Sequence, residues 1–95
     1  MAAARIDAAF GCTDAEAVEM TRYLLRNEGL FVGPSAALNV CGAVKAARAL
    51  PPGSTIVTVL CDGGERYAAK HSSDAWLYDN GLAPKATGKD VAFVL

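Results

Sequence analysis

The stretch EGLFVGPSAALNVCGAVKAAR, residues 28–48, sets an apolar triplet, a Gly-Pro-Ser turn and a long run of small residues end to end. Leu30-Phe31-Val32 is too short and too apolar for a helix, and it reads as a buried strand closed by Gly33-Pro34. A helix then runs from about Ser35 to Leu50 and is ended by Pro51-Pro52-Gly53. Only Lys45 and Arg48 are charged along it, while Ala36, Ala37, Gly42, Ala43, Ala46 and Ala47 offer little bulk. That composition predicts close backbone packing on most sides of the helix. Next comes Thr55-Ile56-Val57-Thr58-Val59-Leu60, rich in β-branched residues and nearly continuous in its apolar character, as a strand covered on both faces should be. Strand, helix, strand in that order predicts a parallel pair joined by a right-handed crossover.

Upstream, the T-D-A-E sequence beginning at Thr13 is a capping box: the Thr13 hydroxyl can accept from the Glu16 amide while the Glu16 side chain reaches back. In the helix that follows, Ala17, Met20 and Leu24 make one stripe and Val18, Thr21 and Leu25 its neighbour, leaving Glu19, Arg22 and Arg26 for water. Gly29 suits a left-handed terminator. Downstream, Asp62-Gly63-Gly64 turns the chain at the carboxyl end of the second strand, and Ser72 or Ser73 can cap a short helix through Trp76 and Tyr78 that stops at Asn80-Gly81. Residues 83–95 read as an irregular tail. With no internal repeat and no linker, residues 1–95 form a single domain of the α/β class. The expected architecture is a partial three-layer parallel sheet in the order helix, strand, helix, strand, short helix.

At 95 residues the chain hides only about 60 to 65% of the surface its unfolded form exposes. Its share of hydrophobic residues, 53% against 20% charged, predicts a face that something else covers. Nine basic residues balance ten acidic ones, and no Lys/Arg cluster interleaves with aromatics, which argues against a nucleic-acid groove. Cys12, Cys41 and Cys61 are odd in number and far apart, with no CxxC pair and only His71 as a nitrogen ligand, so no metal site is expected. Free, reduced thiols in a cytoplasmic protein are the simplest reading. MAAARIDAAF has neither a signal peptide's apolar core nor the length of a membrane span.

In open α/β sheets ligands gather at the carboxyl ends of the strands. Two turns are predicted there, Gly33-Pro34-Ser35 and Cys61-Asp62-Gly63-Gly64, opening on one edge if the strands are parallel. Ser35 heads a helix with a partial positive charge at its first amides, and its hydroxyl can cap the helix and still donate to a ligand. A plain cap is the competing reading. Asp62 either orients a ligand or satisfies the amides of its own turn, the commoner task of an Asp-Gly pair. Cys61 ends an apolar strand with no histidine near it in sequence, as inert core cysteines do. Gly63-Gly64 lacks the full glycine fingerprint of a phosphate-cradling loop.

The phrases RIDAAF, TDAEAVEMTRYLLRNEGLFVGPSAALNV and TIVTVLCDGGERYAAK occur here in an order that resembles the carboxyl-terminal part of cysteine synthases. These belong to the pyridoxal-phosphate family that also includes cystathionine β-synthases, and the resemblance runs from about Arg5 to Leu82. It implies a piece of a larger pyridoxal-phosphate enzyme fold. In that family the serine of the EG-(apolar)₃-G-x-S turn donates its hydroxyl to the pyridine nitrogen of the cofactor. Gly33 and Ser35 stand at that turn. A neutral hydroxyl does not hold the nitrogen protonated, which makes the ring a milder electron sink suited to elimination and replacement at the β-carbon of an amino acid. Cys61 and Asp62 are carried over as neighbours of the same ring.

The chain departs from the family at Gly63, where a small hydroxylated residue is common, and at Pro34 and Ala36, where the first turn is often richer in serine. It also lacks the family's Schiff-base lysine, glycine-rich phosphate loop and cofactor-facing asparagine, and none of Lys45, Lys70, Lys85 or Lys89 stands in the lysine's motif. The resemblance therefore implies cofactor-contact residues but no catalytic residue in this chain. Pyridoxal phosphate and the amino-acid substrate belong to the parent enzyme, which makes cysteine from an activated serine and sulfide. The chain alone is expected to be inactive and to pack on an upstream fragment, a homologue or itself. The competing reading is a non-catalytic interaction module, or a fragment without function.

Overall fold

The computed structural model describes residues 6, 8–67, 74–82 and 91–95. Helix α1 (Asp14–Glu28) begins at the predicted capping box: Thr13 Oγ1 accepts from the Glu16 amide at 3.1 Å, and Glu16 Oε1 accepts from the Thr13 amide at 2.9 Å. It ends at Gly29, whose φ of 67° lets the amides of Gly29 and Leu30 both turn back to the Leu24 carbonyl. The stripe of Ala17, Met20 and Leu24 is buried as predicted. Its neighbour is only partly so: Val18 is buried, the Thr21 hydroxyl donates to the Val18 carbonyl at 2.7 Å, and Leu25 is exposed.

Helix α2 (Pro34–Arg48) starts one residue before the predicted boundary and stops two residues short of it. Gly33 is the N-cap in extended conformation, and Pro34 takes the first helical position, where a missing N–H costs nothing and the fixed φ suits the helix. Leu50 precedes a proline, and the proline ring disfavours helical backbone there, so the helix ends early. Among the described residues, full burial on this helix is confined to Ala36, Ala37 and Cys41, which pack in the cluster with α1, instead of extending to most sides as predicted. On the open side a Cβ built on Gly42 meets nothing within 4 Å.

The predicted parallel sheet is not formed: the described residues contain no strand and no sheet. Val32 makes one isolated antiparallel pair with Gly63, closed by Gly33 N–H to the Asp62 carbonyl at 3.0 Å and Gly64 N–H to the Phe31 carbonyl at 3.1 Å. Leu30 and Phe31 are exposed, so the predicted buried strand at residues 30–32 contributes only Val32 to the interior. Residues 55–60 join no ladder and are exposed throughout, with Val57 at 88% and Val59 at 65%. β-branched composition fits a residue to a pleated, half-buried surface, but a ladder also needs a partner strand about 4.8 Å away. Three residues at 30–32 cannot supply one, and even a full two-stranded ribbon is marginal in water.

A 3-10 turn (Gly64–Tyr67) and a short helix α3 (Asp74–Asp79) follow. Leu77 of α3 is fully buried, and Gly81, at φ 70°, turns the chain out of that helix. The predicted caps Ser72 and Ser73, together with His71, lie outside the described residues. The core joins Ala17, Met20 and Leu24 of α1 to Ala36, Ala37 and Cys41 of α2, with Val32 and Val94 completing it. Val94 belongs to the segment read as an irregular tail, of which residues 83–90 lie outside the described part.

Candidate functional site

The two turns expected to share an edge do meet, although through an antiparallel pair and not at the ends of parallel strands. Gly33 is the joint. It is buried, it caps α2, and its amide is held by the Asp62 carbonyl, so the start of the helix and the 61–64 turn are locked together by backbone bonds. The first amides of a helix lack intrahelical partners. Here Gly33 spends its own on Asp62 and Pro34 has none, which leaves the amides of Ser35 and Ala36 at the positive end of the helix.

Ser35 is the second residue of α2, not its cap, and it is exposed. The capping half of the sequence reading is thereby corrected: Gly33 takes the cap position and makes no side-chain bond there. A serine inside the first turn keeps its hydroxyl available as a neutral donor. Cys61 is exposed and Asp62 half-buried. Cys61 is thus not the buried end of an apolar strand.

Asn39, one helical turn after Ser35, carries a connection that sequence reasoning missed. Its Nδ2 donates to the Val59 carbonyl at 2.9 Å and to Cys61 Sγ at 3.5 Å, tying α2 to the segment that leads into the 61–64 turn. The signal was present, since Asn39 is the one amide side chain in an otherwise small and apolar helix. Glu65 and Phe31 crowd the two glycines of the turn. A Cβ on Gly63 would run into the Glu65 carboxylate, and one on Gly64 into the Phe31 ring. The Glu65 carboxylate thus fills the space that a side chain at position 63 would need.

The charged centre of the described structure lies away from this edge. Glu16 is buried, pairs with Lys45 Nζ at 3.0 Å, and accepts from the Leu95 amide at 3.0 Å. Burial pushes its carboxyl up, but the bonds from the Thr13 and Leu95 amides, the Lys45 ammonium and the Thr13 hydroxyl outweigh it and bring the pKa to about 2. The hydrogen bond to Glu16 holds Lys45 more firmly protonated, and its ammonium also donates to the Gly11 carbonyl at 2.5 Å. The buried Cys41 thiol is pushed up to about 12, first by burial and then by the nearby Cys12 and Glu16, and stays a neutral core group.

The profile of the family described as "Pyridoxal-phosphate dependent enzyme" matches residues 1–62, and the chain belongs to that family. Over 77 residues, 81% of the chain, it is 54% identical to a cysteine synthase of Dictyostelium discoideum. It is 45% identical over 80 residues, 84% of the chain, to cysteine synthase 2 of Schizosaccharomyces pombe. A cystathionine beta-synthase of Dictyostelium discoideum is 40% identical over 78 residues, 81% of the chain and 16% of that relative. The chain spans about a fifth of the length of the two cysteine synthases, 20% in each case.

The exposed Ser35 hydroxyl, at the positive end of α2 and beside the 61–64 turn, is a neutral donor of the kind a pyridine nitrogen can accept. The described residues offer no amine for covalent attachment. That requires a desolvated, neutral amine, and Lys45, the lysine among the described residues, is protonated and committed to Glu16 and Gly11. Among the described residues no helix is long and apolar enough to cross a membrane.

Proposed function

We propose that this chain supplies the wall that faces the cofactor's ring nitrogen in a cysteine synthase-type site. The lysine and phosphate loop would come from a longer polypeptide of the same family. When bound, pyridoxal phosphate provides the electron sink for β-replacement on an activated serine. This chain's part is to present the Ser35 hydroxyl to the ring nitrogen, to hold it there through Gly33, and to back it with Cys61 and Asp62. The observation that carries the reading is the backbone pairing of Gly33 with Asp62 and of Phe31 with Gly64, which joins the two turns beside an exposed Ser35. The three cysteines, all unpaired, suit a reducing compartment such as the cytoplasm.

The test is co-expression with the Dictyostelium cysteine synthase from which the segment matching this chain has been removed. The pair should co-purify, bind pyridoxal phosphate with a defined visible band, and form cysteine. Ser35→Ala should shift or weaken that band without separating the two pieces. A band indifferent to Ser35→Ala removes the assignment of Ser35. Exposure of Ile56, Val57, Val59 and Leu60 favours a second reading, a non-catalytic module that packs on a homologue. Co-purification with no effect on cofactor binding or turnover would select that reading.

A further inference from the structure

Outside the family-matched residues, the segment Val91–Leu95 lies across α1 and α2 in the manner of a bound peptide. Val94 is its anchor, 2% exposed and part of the same cluster as Met20, Leu24, Ala37 and Cys41. Phe93 sets its ring against Tyr23, centroids 5.9 Å apart and planes tilted by 54°, a favourable aromatic geometry. The main chain is read directionally. Arg48 Nη1 donates to the carbonyls of Val94 at 2.6 Å and Leu95 at 3.4 Å, and Nη2 donates to that of Val91 at 3.1 Å. At the other pole the Leu95 amide donates to Glu16 Oε2. A cation at three carbonyls and an anion at one amide, around one buried side chain, is how a receptor seam holds a short extended or turned segment independently of most of its sequence.

We propose that Val91–Leu95 is a strap occupying a peptide-binding seam between α1 and α2, and that a free peptide of the same sequence takes the seat when the strap is displaced. Val94 of the strap packs in the cluster that holds Ala36, Ala37 and Cys41 of α2 and Met20 and Leu24 of α1, so Cys41 lies in the cluster it closes.

The test uses the full chain carrying Cys12→Ser and Cys61→Ser, so that Cys41 is the sole thiol. Adding Val94→Asp should speed Cys41 modification by about ten-fold or more at unchanged helix content. Millimolar acetyl-Val-Ala-Phe-Val-Leu-amide should slow it again, and the same peptide with aspartate in fourth place should not. If Val94→Asp loses its helices, Val94→Ala, which trims the anchor but leaves Arg48 and Glu16 in the seam, takes its place with the same expected pattern. Independently, hydrogen exchange in the unsubstituted chain should show the Leu95 amide protected by about ten-fold or more over an unstructured peptide. An unprotected Leu95 amide, or a Cys41 rate that the peptide does not change, overturns the proposal.

Discussion

At Ser35 a capping role and a ligand-facing role predict different stabilities. A serine cap replaced by alanine costs about 1 kcal/mol, whereas an exposed hydroxyl in the first turn costs within about 0.5 kcal/mol. Because Gly33 holds the cap position, Ser35→Ala should leave the urea midpoint nearly unchanged. A loss of about 1 kcal/mol would return Ser35 to the capping role. Glu16 behaves oppositely. Its carboxyl is held at about 2 against an ordinary 4.5, so the charged form favours the folded state. That contribution is complete above pH 4.5 and is lost as pH falls toward about 2. Glu16→Gln should cost about 1–3 kcal/mol at pH 7 by leaving Lys45 and the Leu95 amide poorly matched. Urea titrations at pH 7 and pH 3 should show the difference between parent and variant shrinking in acid. The capping box was legible because all its parts lie within four residues. Lys45, Arg48 and Leu95 were not, because nothing in sequence spacing ties residue 16 to residues 45 and 95.

The two long helices were readable because their start and stop signals are local: Thr13 and Glu16, Gly29, Pro34, and the prolines after Leu50. What α2 packs against is not local. Its run of small residues is compatible with burial on several faces, yet among the described residues only Ala36, Ala37 and Cys41 of this helix are fully buried. Gly42 has open space around its Cβ position, so Gly42→Ala should gain helix propensity without a clash and stabilise the chain by about 0.5–1 kcal/mol. Thermal unfolding followed by circular dichroism checks this, and a lower midpoint would mean that the face is covered. The segment at 55–60 failed as a strand for the converse reason. Its residues carry the right preference, but hydrogen-bond ladders are made between segments, and the described residues offer it no partner.

For the molecule as a whole the consequence is a chain with apolar surface in water. Ile56, Val57, Val59 and Leu60 form an exposed, uncharged run of the kind that pairs with other chains unless a charge interrupts it. Sedimentation at tens of micromolar should give a mass above the 9.8 kDa of one chain, and Val57→Lys should restore the monomer with little effect on helix content. A monomer in the unsubstituted chain, without dye-binding apolar surface, would show that this run is covered in solution.

Composition and local motif carried the two long helices and the likeness to pyridoxal-phosphate enzymes, because each rests on neighbours in the chain or on an order of short phrases. The sheet, the one-sided burial of α2, the Asn39 contact to residues 59–61 and the Glu16–Lys45–Leu95 knot lay beyond such reading. Each depends on which surfaces are present to be paired. A segment's apolar character states only that it gains by leaving water. Whether it becomes a strand, a covered helix face or an exposed run is decided by the partners that packing brings within reach.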